Sequence, residues 1–356
     1  MCSAWALQKP IYASRKIIQS SFPSEKILKK LATTANRFEL YATPEMQAVA
    51  KIEASLLCGA RKYFDDNNFT EIIVPHLTRA TGACENIATM FTVDHFGESC
   101  YLAQTGQLYL EVLTPYLKKV WCIGPSFRAE PAVDERHLTE FTLIELEFEG
   151  DLWLLMHHIE GVIYSMVQEC LATRNEDLEL LSVDKDRISV KPPFKKVSYT
   201  DAVEQLSSFG VKWGDDLKSM HEKTLVEIFG NKPLFITHYP KAIKFFNMKQ
   251  NSNQPHIVNS TDLILPYSGE AVGAAEREYE YEPLLQRLKD SSMLKQLVEK
   301  GGSLQDFNWY LEFYRLYGGT PHSGCGIGLN RVTQYVLASS DIRASTVFPM
   351  NKQTLM

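Results

Sequence analysis

Two strand-like runs joined by a short, turn-rich connection constrain this chain more than any other feature. "KKVWCIGPSFRAE" (118–130) and "HLTEFTLIELEFEG" (137–150) carry the aromatic and β-branched residues of strands, and "PAVDER" between them predicts an antiparallel hairpin. Residues two apart share a face of a strand, so Arg128 and Glu130 project together from the first arm, and Phe141, Glu145 and Glu147 from the second. A guanidinium holds phosphate through bidentate, charge-assisted bonds and keeps its proton. A carboxylate beside it accepts from an amino group, and a ring offers a face to a base. By itself, however, the pattern fits a surface hairpin laced with ion pairs better than a nucleotide site.

The flanking segments place this hairpin in a larger α/β body. "PEMQAVAKIEASLLCGARKYFDDNNF" (44–69) has helical periodicity, with Pro44 and Glu45 suited to a first turn and Asp-Asp-Asn-Asn to a stop. "FTEIIVPHL" then alternates as a strand up to Pro75, and "SCYLAQTGQLYLEVLTPYL" predicts a strand running into a helix. Further helices are expected over 151–174, near 198–210 and near 281–290, and further strands in "PLFITHY", "STDLILPYS" and "SGCGIG". Residues 1–43 read as an N-terminal extension and 44–350 as the main domain, with an insertion at about 175–232. A chain of 356 residues has room for one large core or two modest ones.

Two more constellations carry possible chemistry. In "STDLILPYSGEAVGAAEREYEYE", Asp262 and Glu270 are hard oxygen donors of the kind magnesium takes, usually one or two carboxylates together with substrate phosphates. Arg277 follows, with small residues between. "SGCGIGLNRV" is neither a dinucleotide fingerprint nor a phosphate-binding P-loop. Its glycines permit close backbone approach, and Arg331 stands at a helix start. Each of these also reads as surface charge or tight glycine packing. The seven cysteines show no C-x-x-C pair and are expected as reduced thiols. His157 and His158, adjacent on a helix, are not expected to bind metal. Lys+Arg 37 against Asp+Glu 43, net −6, provides no general attraction to nucleic acid, and with no apolar run of membrane-spanning length a cytoplasmic protein is expected.

In this order the three segments resemble the three motifs of class II aminoacyl-tRNA synthetases, aspartyl and asparaginyl branch. "FTEIIVPHLT" is similar to motif one, "FRAE" with "RHLTEF" to motif two, and "GIGLNRV" to motif three. The resemblance implies an antiparallel sheet flanked by helices, an AMP-forming ligase using ATP and Mg2+, and a homodimer built on the first helix and motif-one strand. It implies Arg128 at the α-phosphate, Glu130 at the adenine amino group, and Phe141 and Arg331 on the two faces of adenine, with Arg331 also near the γ-phosphate. Arg136 and His137 would meet the β- and γ-phosphates, and Asp262 and Glu270 the metal. Glu85, Gln107 and Glu145 would surround the α-ammonium group of an amino acid. Arg277 would face its far end, with Arg128, Arg277 and Arg331 carrying the catalysis.

Leu110 stands where aspartyl enzymes place a lysine, and Glu111 matches an asparaginyl glutamate that accepts from an amide. The short stretch ahead of Pro44 leaves no room for the anticodon-binding barrel of these synthetases. The expectation is therefore a stand-alone relative that makes asparagine from aspartate, ATP and ammonia, with Arg277 on the α-carboxylate and Glu111 or another pocket carboxylate receiving ammonium. The alternatives are tRNA charging without an anticodon-binding domain of its own, an amide or ester ligase using another acid or acceptor, and a non-catalytic regulator.

Overall fold

The computed structural model describes residues 24–80, 87–188 and 191–354. Its centre is an eight-stranded sheet. In chain order the strands are β1 (Thr70–Glu71), β2 (Leu77–Thr78), β3 (Thr92–His95), β4 (Glu98–Leu102), β5 (Lys119–Phe127), β6 (Glu140–Phe148), β7 (Lys195–Ser198), β8 (Leu234–Thr237), β9 (Ser260–Leu265), β10 (Gly269–Glu276) and β11 (Ser323–Gly328). The large sheet runs β1-β5-β6-β11-β10-β9-β8-β7, and β2-β4-β3 form a small second sheet. From β5 to β8 every pairing is antiparallel, whereas β1 and β7 join the two edges in parallel.

The expected hairpin is β5–β6, with Phe127 opposite Glu140. Its connection is longer than "PAVDER", because Arg128 and Thr139 close the ladder with one backbone bond of 2.8 Å and residues 129–138 arch beyond it. On β6 the alternation separates two environments. Ile144, Leu146 and Phe148 face the helix side, where they join the main core with Trp121. Phe141, Leu143 and Glu145 face a cavity on the other side of the sheet.

The helices follow the local signals. Thr43 caps Pro44–Asp66 by accepting from the Met46 N–H, and Asp151 caps Leu152–Thr173 through the Leu154 N–H. These two helices pack against one another on the sheet and bury Ile52, Leu56, Phe64, Leu155, Ile159 and Met166. The described part of the extension belongs to this core. Ile27, Leu28, Leu31 and Leu40 are buried in it, and Arg37 reaches the Thr346 carbonyl at 2.8 Å.

The expected insertion at 175–232 starts too early: Leu178, Leu181 and Ile188 are buried in the main core, and only the later part, from β7 onward, decorates the far edge. Helices Tyr199–Gln205 and Ser219–Ile228 enclose a small core with β8 (Tyr199, Leu206, Leu225, Ile236), and β7 extends the sheet beside β8. Cys58, Cys100, Cys122, Cys170 and Cys325 are free thiols. Among the described residues no helix is long and apolar enough to cross a membrane.

His157 is exposed, but His158 is buried against Phe69 and Phe148, with its Nδ1 2.9 Å from the Tyr63 hydroxyl. Burial, aided by Lys119 and His157, pushes its pKa down to about 4. A histidine held below its unfolded value of about 6.5 contributes stability that is complete above pH 6.5 and is lost as pH falls toward 4. Urea unfolding at pH 7.5 and pH 5.0 should therefore show that His158 alone accounts for a loss on the order of 2 kcal/mol. The expected result is that His158→Phe removes that part of the pH dependence; an unchanged dependence refutes it.

Candidate active site

A cavity of about 330 Å³ opens over the middle of the large sheet, walled by β6, β11, β10 and the end of β5. It brings together Gln107, Arg128, Glu130, Arg136, His137, Phe141, Glu145, Asp262, Glu270, Arg277 and Arg331. Three segments that looked like ordinary surface charge thus converge on one concave site. Glu85 lies outside the described residues.

One end of the cavity is rich in arginine. Arg128 stands at the end of β5 with its guanidinium 5.3 Å from the centre of the Phe141 ring. Arg331, in the first turn of helix Leu329–Leu337, donates to the carbonyls of Ser268 (2.7 Å) and Arg136 (2.8 Å). Burial and the nearby Arg136 lower its pKa to about 10, so it stays charged at neutral pH. Asp134 accepts from the backbone N–H groups of Arg136 (2.8 Å) and His137 (3.0 Å) and faces the His137 ring at 2.8 Å, which shapes the hairpin loop. Three guanidinium groups around one space suit a polyanion.

Asp262 and Glu270 project into the same space from β9 and β10. Asp262 pairs with Gly273, and a Cβ at Gly273 would stand 3.3 Å from a Glu270 oxygen and 3.9 Å from an Asp262 oxygen. The two carboxylates therefore converge above a position without a side chain, a donor set that fits magnesium shared with substrate phosphates. Asp262 is already engaged by Lys244, whose ammonium lies 2.7 Å from its Oδ2 with both side chains buried. Glu270 is the stronger candidate ligand. Lys244 escaped sequence reasoning because it sits in the irregular link between β8 and β9, where no periodicity points to the cavity.

The other end is a buried charge network. Arg277 donates to Glu147 from Nε (3.1 Å) and from Nη2 (2.7 Å), and Glu111 lies 3.9 Å from its Nε. Burial pushes the Glu147 carboxyl up to about 7, opposed by Arg277 and reinforced by the Glu111 charge. Arg277 itself is held above its usual value, because these two carboxylates outweigh the effect of burial. Gly324 of β11 is needed here, since a methyl group at that position would overlap the Glu147 carboxylate. Glu145 is also buried. It accepts from the Thr105 hydroxyl and from the Gly106 N–H (2.8 Å), and burial raises its pKa.

Glu111 does not line the cavity. It lies one layer behind, fully enclosed, with its oxygens taken by donors of the protein. Gln107 (2.6 Å) and Asn247 (2.7 Å) donate to Oε1, and the hydroxyls of Tyr310 (2.5 Å) and Tyr314 (3.3 Å) to Oε2. His322 Nε2 stands 3.5 Å from Oε2 while its Nδ1 bonds the Thr320 carbonyl at 2.7 Å. Burial pulls this imidazole down, but Glu111 outweighs it and leaves the pKa above its ordinary value. Glu111 thus acts on the cavity only through Gln107 and Arg277. Leu110 likewise turns away from the cavity, into an apolar cluster with Val74, Val120 and Cys122.

Residues 29–352 match the family described as tRNA synthetases class II (D, K and N). The chain belongs to this family. The asparagine–tRNA ligase of Pyrococcus abyssi is 39% identical over 312 residues, 86% of this chain and 69% of the relative. That of Thermococcus kodakarensis is 38% identical over 319 residues, 88% and 71%. Among solved structures, the asparaginyl-tRNA synthetase of Pyrococcus horikoshii complexed with asparaginyl-adenylate superposes with a TM-score of 0.82 at 37% identity, covering 92% of this chain and 73% of that one. The Entamoeba histolytica asparaginyl-tRNA synthetase in complex with asparaginyl-adenylate gives 0.78 at 27% identity, covering 95% and 74%.

The class II catalytic fold is therefore established, and one expectation is overturned. These relatives are asparagine–tRNA ligases across most of the chain, so the synthesis of asparagine from aspartate and ammonia is not supported. That expectation rested on the length of chain ahead of Pro44, on the net charge, and on Leu110 and Glu111, neither of which lines the cavity. The role given to Glu111 as receiver of ammonium falls with it.

Proposed function

We propose that this chain activates asparagine with ATP and transfers the asparaginyl group to tRNA. The observation that carries the choice of amino acid is the pairing of Arg277. Its guanidinium already donates to Glu147 from Nε and Nη2, with Glu111 3.9 Å away. A substrate carboxylate would add a third anion to this end, whereas a neutral carboxamide places its oxygen toward Arg277 without that repulsion. The relatives named above support the same amino acid.

In this reading the carboxamide lies toward Arg277, and Glu145 and Gln107 surround the α-ammonium group. The α-carboxylate points toward Arg128. One carboxylate oxygen forms a bond to the α-phosphorus, the bond to the bridging oxygen breaks, and pyrophosphate leaves. A ribose hydroxyl of tRNA then attacks the acyl carbon, gives up its proton, and AMP departs. Arg128 stabilises charge on the α-phosphate, Arg136 and His137 hold the β- and γ-phosphates, and Glu130, Phe141 and Arg331 hold adenine, with Arg331 also near the γ-phosphate. Glu270, with Asp262 beside it, would hold magnesium, which would supply neutralisation of phosphate charge.

Asparagine-dependent exchange of labelled pyrophosphate into ATP tests the first half, and charging of an asparagine tRNA transcript the second. Asparagine should be preferred over aspartate by at least about a hundredfold. Exchange supported by aspartate alone, or exchange with no charging of any tRNA, overturns the proposal. We also propose a homodimer across helix Pro44–Asp66 and the segment after β1, where Ile73 is 98% exposed. Sedimentation should give twice the mass of the chain, and Ile73→Asp should reduce it to one; a monomeric wild type refutes the dimer.

A further inference from the structure

Glu222 belongs to neither the hairpin nor the motif strands. It sits on helix Ser219–Ile228, in the peripheral stretch that sequence reasoning left without a role. Yet its side chain is 8% exposed, and one oxygen, Oε2, serves two parts of the cavity wall. It lies 3.2 Å from Arg136 Nη2 and accepts from the Glu270 N–H at 3.2 Å. The same helix adds a second anchor, since Arg136 Nη1 donates to the Ser219 hydroxyl. The approach is possible because the residue ahead of Glu270 is glycine. Gly269 adopts φ +74°, and a Cβ there would stand 2.5 Å from Glu222 Oε2 and 2.9 Å from Arg136 Nη2.

The chemistry of this contact is specific. Arg136 has five N–H donors in a rigid fork, and Ser219 and Glu222 take one from each terminal nitrogen. Two terminal N–H groups and Nε–H remain on an arginine that lines the cavity. Arg136 and Arg331 are near enough for their charges to repel: burial and then Arg136 lower the Arg331 pKa, and Glu222 opposes that lowering. A buried carboxylate at this point offsets the repulsion and keeps both cations beside one another before any phosphate arrives.

We infer that Glu222 is a positioning residue for the triphosphate end of the site: it orients Arg136 toward the β- and γ-phosphates of ATP and ties that arginine to the turn carrying Glu270. The peripheral stretch is thereby part of the nucleotide site and not only a decoration of the sheet. The inference rests on ATP being the substrate proposed above.

The test is a double-mutant cycle of Glu222→Ala and Arg136→Ala, read by Mg-ATP binding in calorimetry and by amino-acid-dependent pyrophosphate exchange. Glu222→Ala should weaken ATP binding and lower kcat/KM for ATP by about tenfold to a hundredfold, while KM for asparagine stays within about twofold. In the Arg136→Ala background the further loss from Glu222→Ala should be less than about threefold. Glu222→Gln, which keeps an acceptor for the Glu270 N–H, should fall between. Should Glu222→Ala fail to fold, Ser219→Ala on the exposed side of the helix provides the same reading: a smaller loss in ATP affinity, again absent in the Arg136→Ala background. Equal losses with and without Arg136, or unchanged ATP affinity in both Glu222→Ala and Ser219→Ala, overturn the inference. A wild type that binds ATP without exchange supported by any amino acid overturns the proposed function instead and leaves the ATP-binding cycle readable.

Discussion

Replacing Arg128 with alanine should lower asparagine-dependent pyrophosphate exchange by about a hundredfold to a thousandfold, the usual effect of removing one preorganised donor at a site of developing charge. The side chain emerges at the end of β5, where the Arg128 N–H still bonds the Thr139 carbonyl, so its backbone is part of the sheet ladder while its guanidinium reaches into the cavity. Its alignment over Phe141 places it beside the ring proposed to stack on adenine, and so near the α-phosphate of the same nucleotide. The fall should appear in kcat, because charge on that phosphate grows toward the transition state. Arg128→Lys keeps the charge and loses the planar fork, and should recover only part of the rate. A kcat for Arg128→Ala within tenfold of wild type would remove Arg128 from the reaction.

Arg277→Ala should have the largest combined effect, on stability and on asparagine binding together. Glu147 is 1% exposed and loses its main compensation without the guanidinium, whereas Glu111 keeps His322 and its hydrogen-bond donors and loses only one nearby positive charge. Breaking a buried pair by removing one partner costs about 3–5 kcal/mol, measurable as a shift of the urea midpoint. Saturation with asparagine should be lost over any accessible concentration range. The two effects can be separated. In Arg277→Ala/Glu147→Gln the uncompensated carboxylate is gone, so stability should recover in part while exchange stays absent. If the double variant regains exchange, Arg277 serves the fold and does not hold the amino acid. If the single variant unfolds at the wild-type midpoint, the buried network contributes nothing net to stability.

How far the site was legible depends on how locally each part is encoded. Phe141, Glu145 and Glu147 fall on one face of β6 by strand alternation, and that follows from a two-residue period inside nine residues. Arg331 at a helix start after a glycine strand, and Arg128 at the end of a strand, are equally local. Their convergence is not. Arg277 meets Glu147 across 130 residues because β11 lies between β6 and β10 in the sheet, and no periodicity of either segment contains that order. Lys244, His322 and Glu222 entered the site unannounced for the same reason.

Glu111 shows a subtler limit. Its place one helical turn after Gln107 was legible, and the 2.6 Å bond between the two agrees with that spacing. Its depth was not legible, because depth depends on Tyr310, Tyr314 and Asn247, which arrive from segments more than a hundred residues away. The expectation about ammonia had a different origin. It inferred a reaction from features outside the cavity, and similarity to asparagine–tRNA ligases over most of the chain overturned it.

By itself, then, the sequence determined which residues share a strand face or a helix turn, where the elements start and stop, and which family the chain resembles, since these depend on neighbours a few positions apart. Only the tertiary structure decided which charges meet, which carboxylates are already occupied, and that Glu222 of a peripheral helix borders the arginine-rich end of the cavity. Those outcomes follow from strand order and from the desolvation of groups brought together across the chain, and a buried charge takes its meaning from every group packed against it.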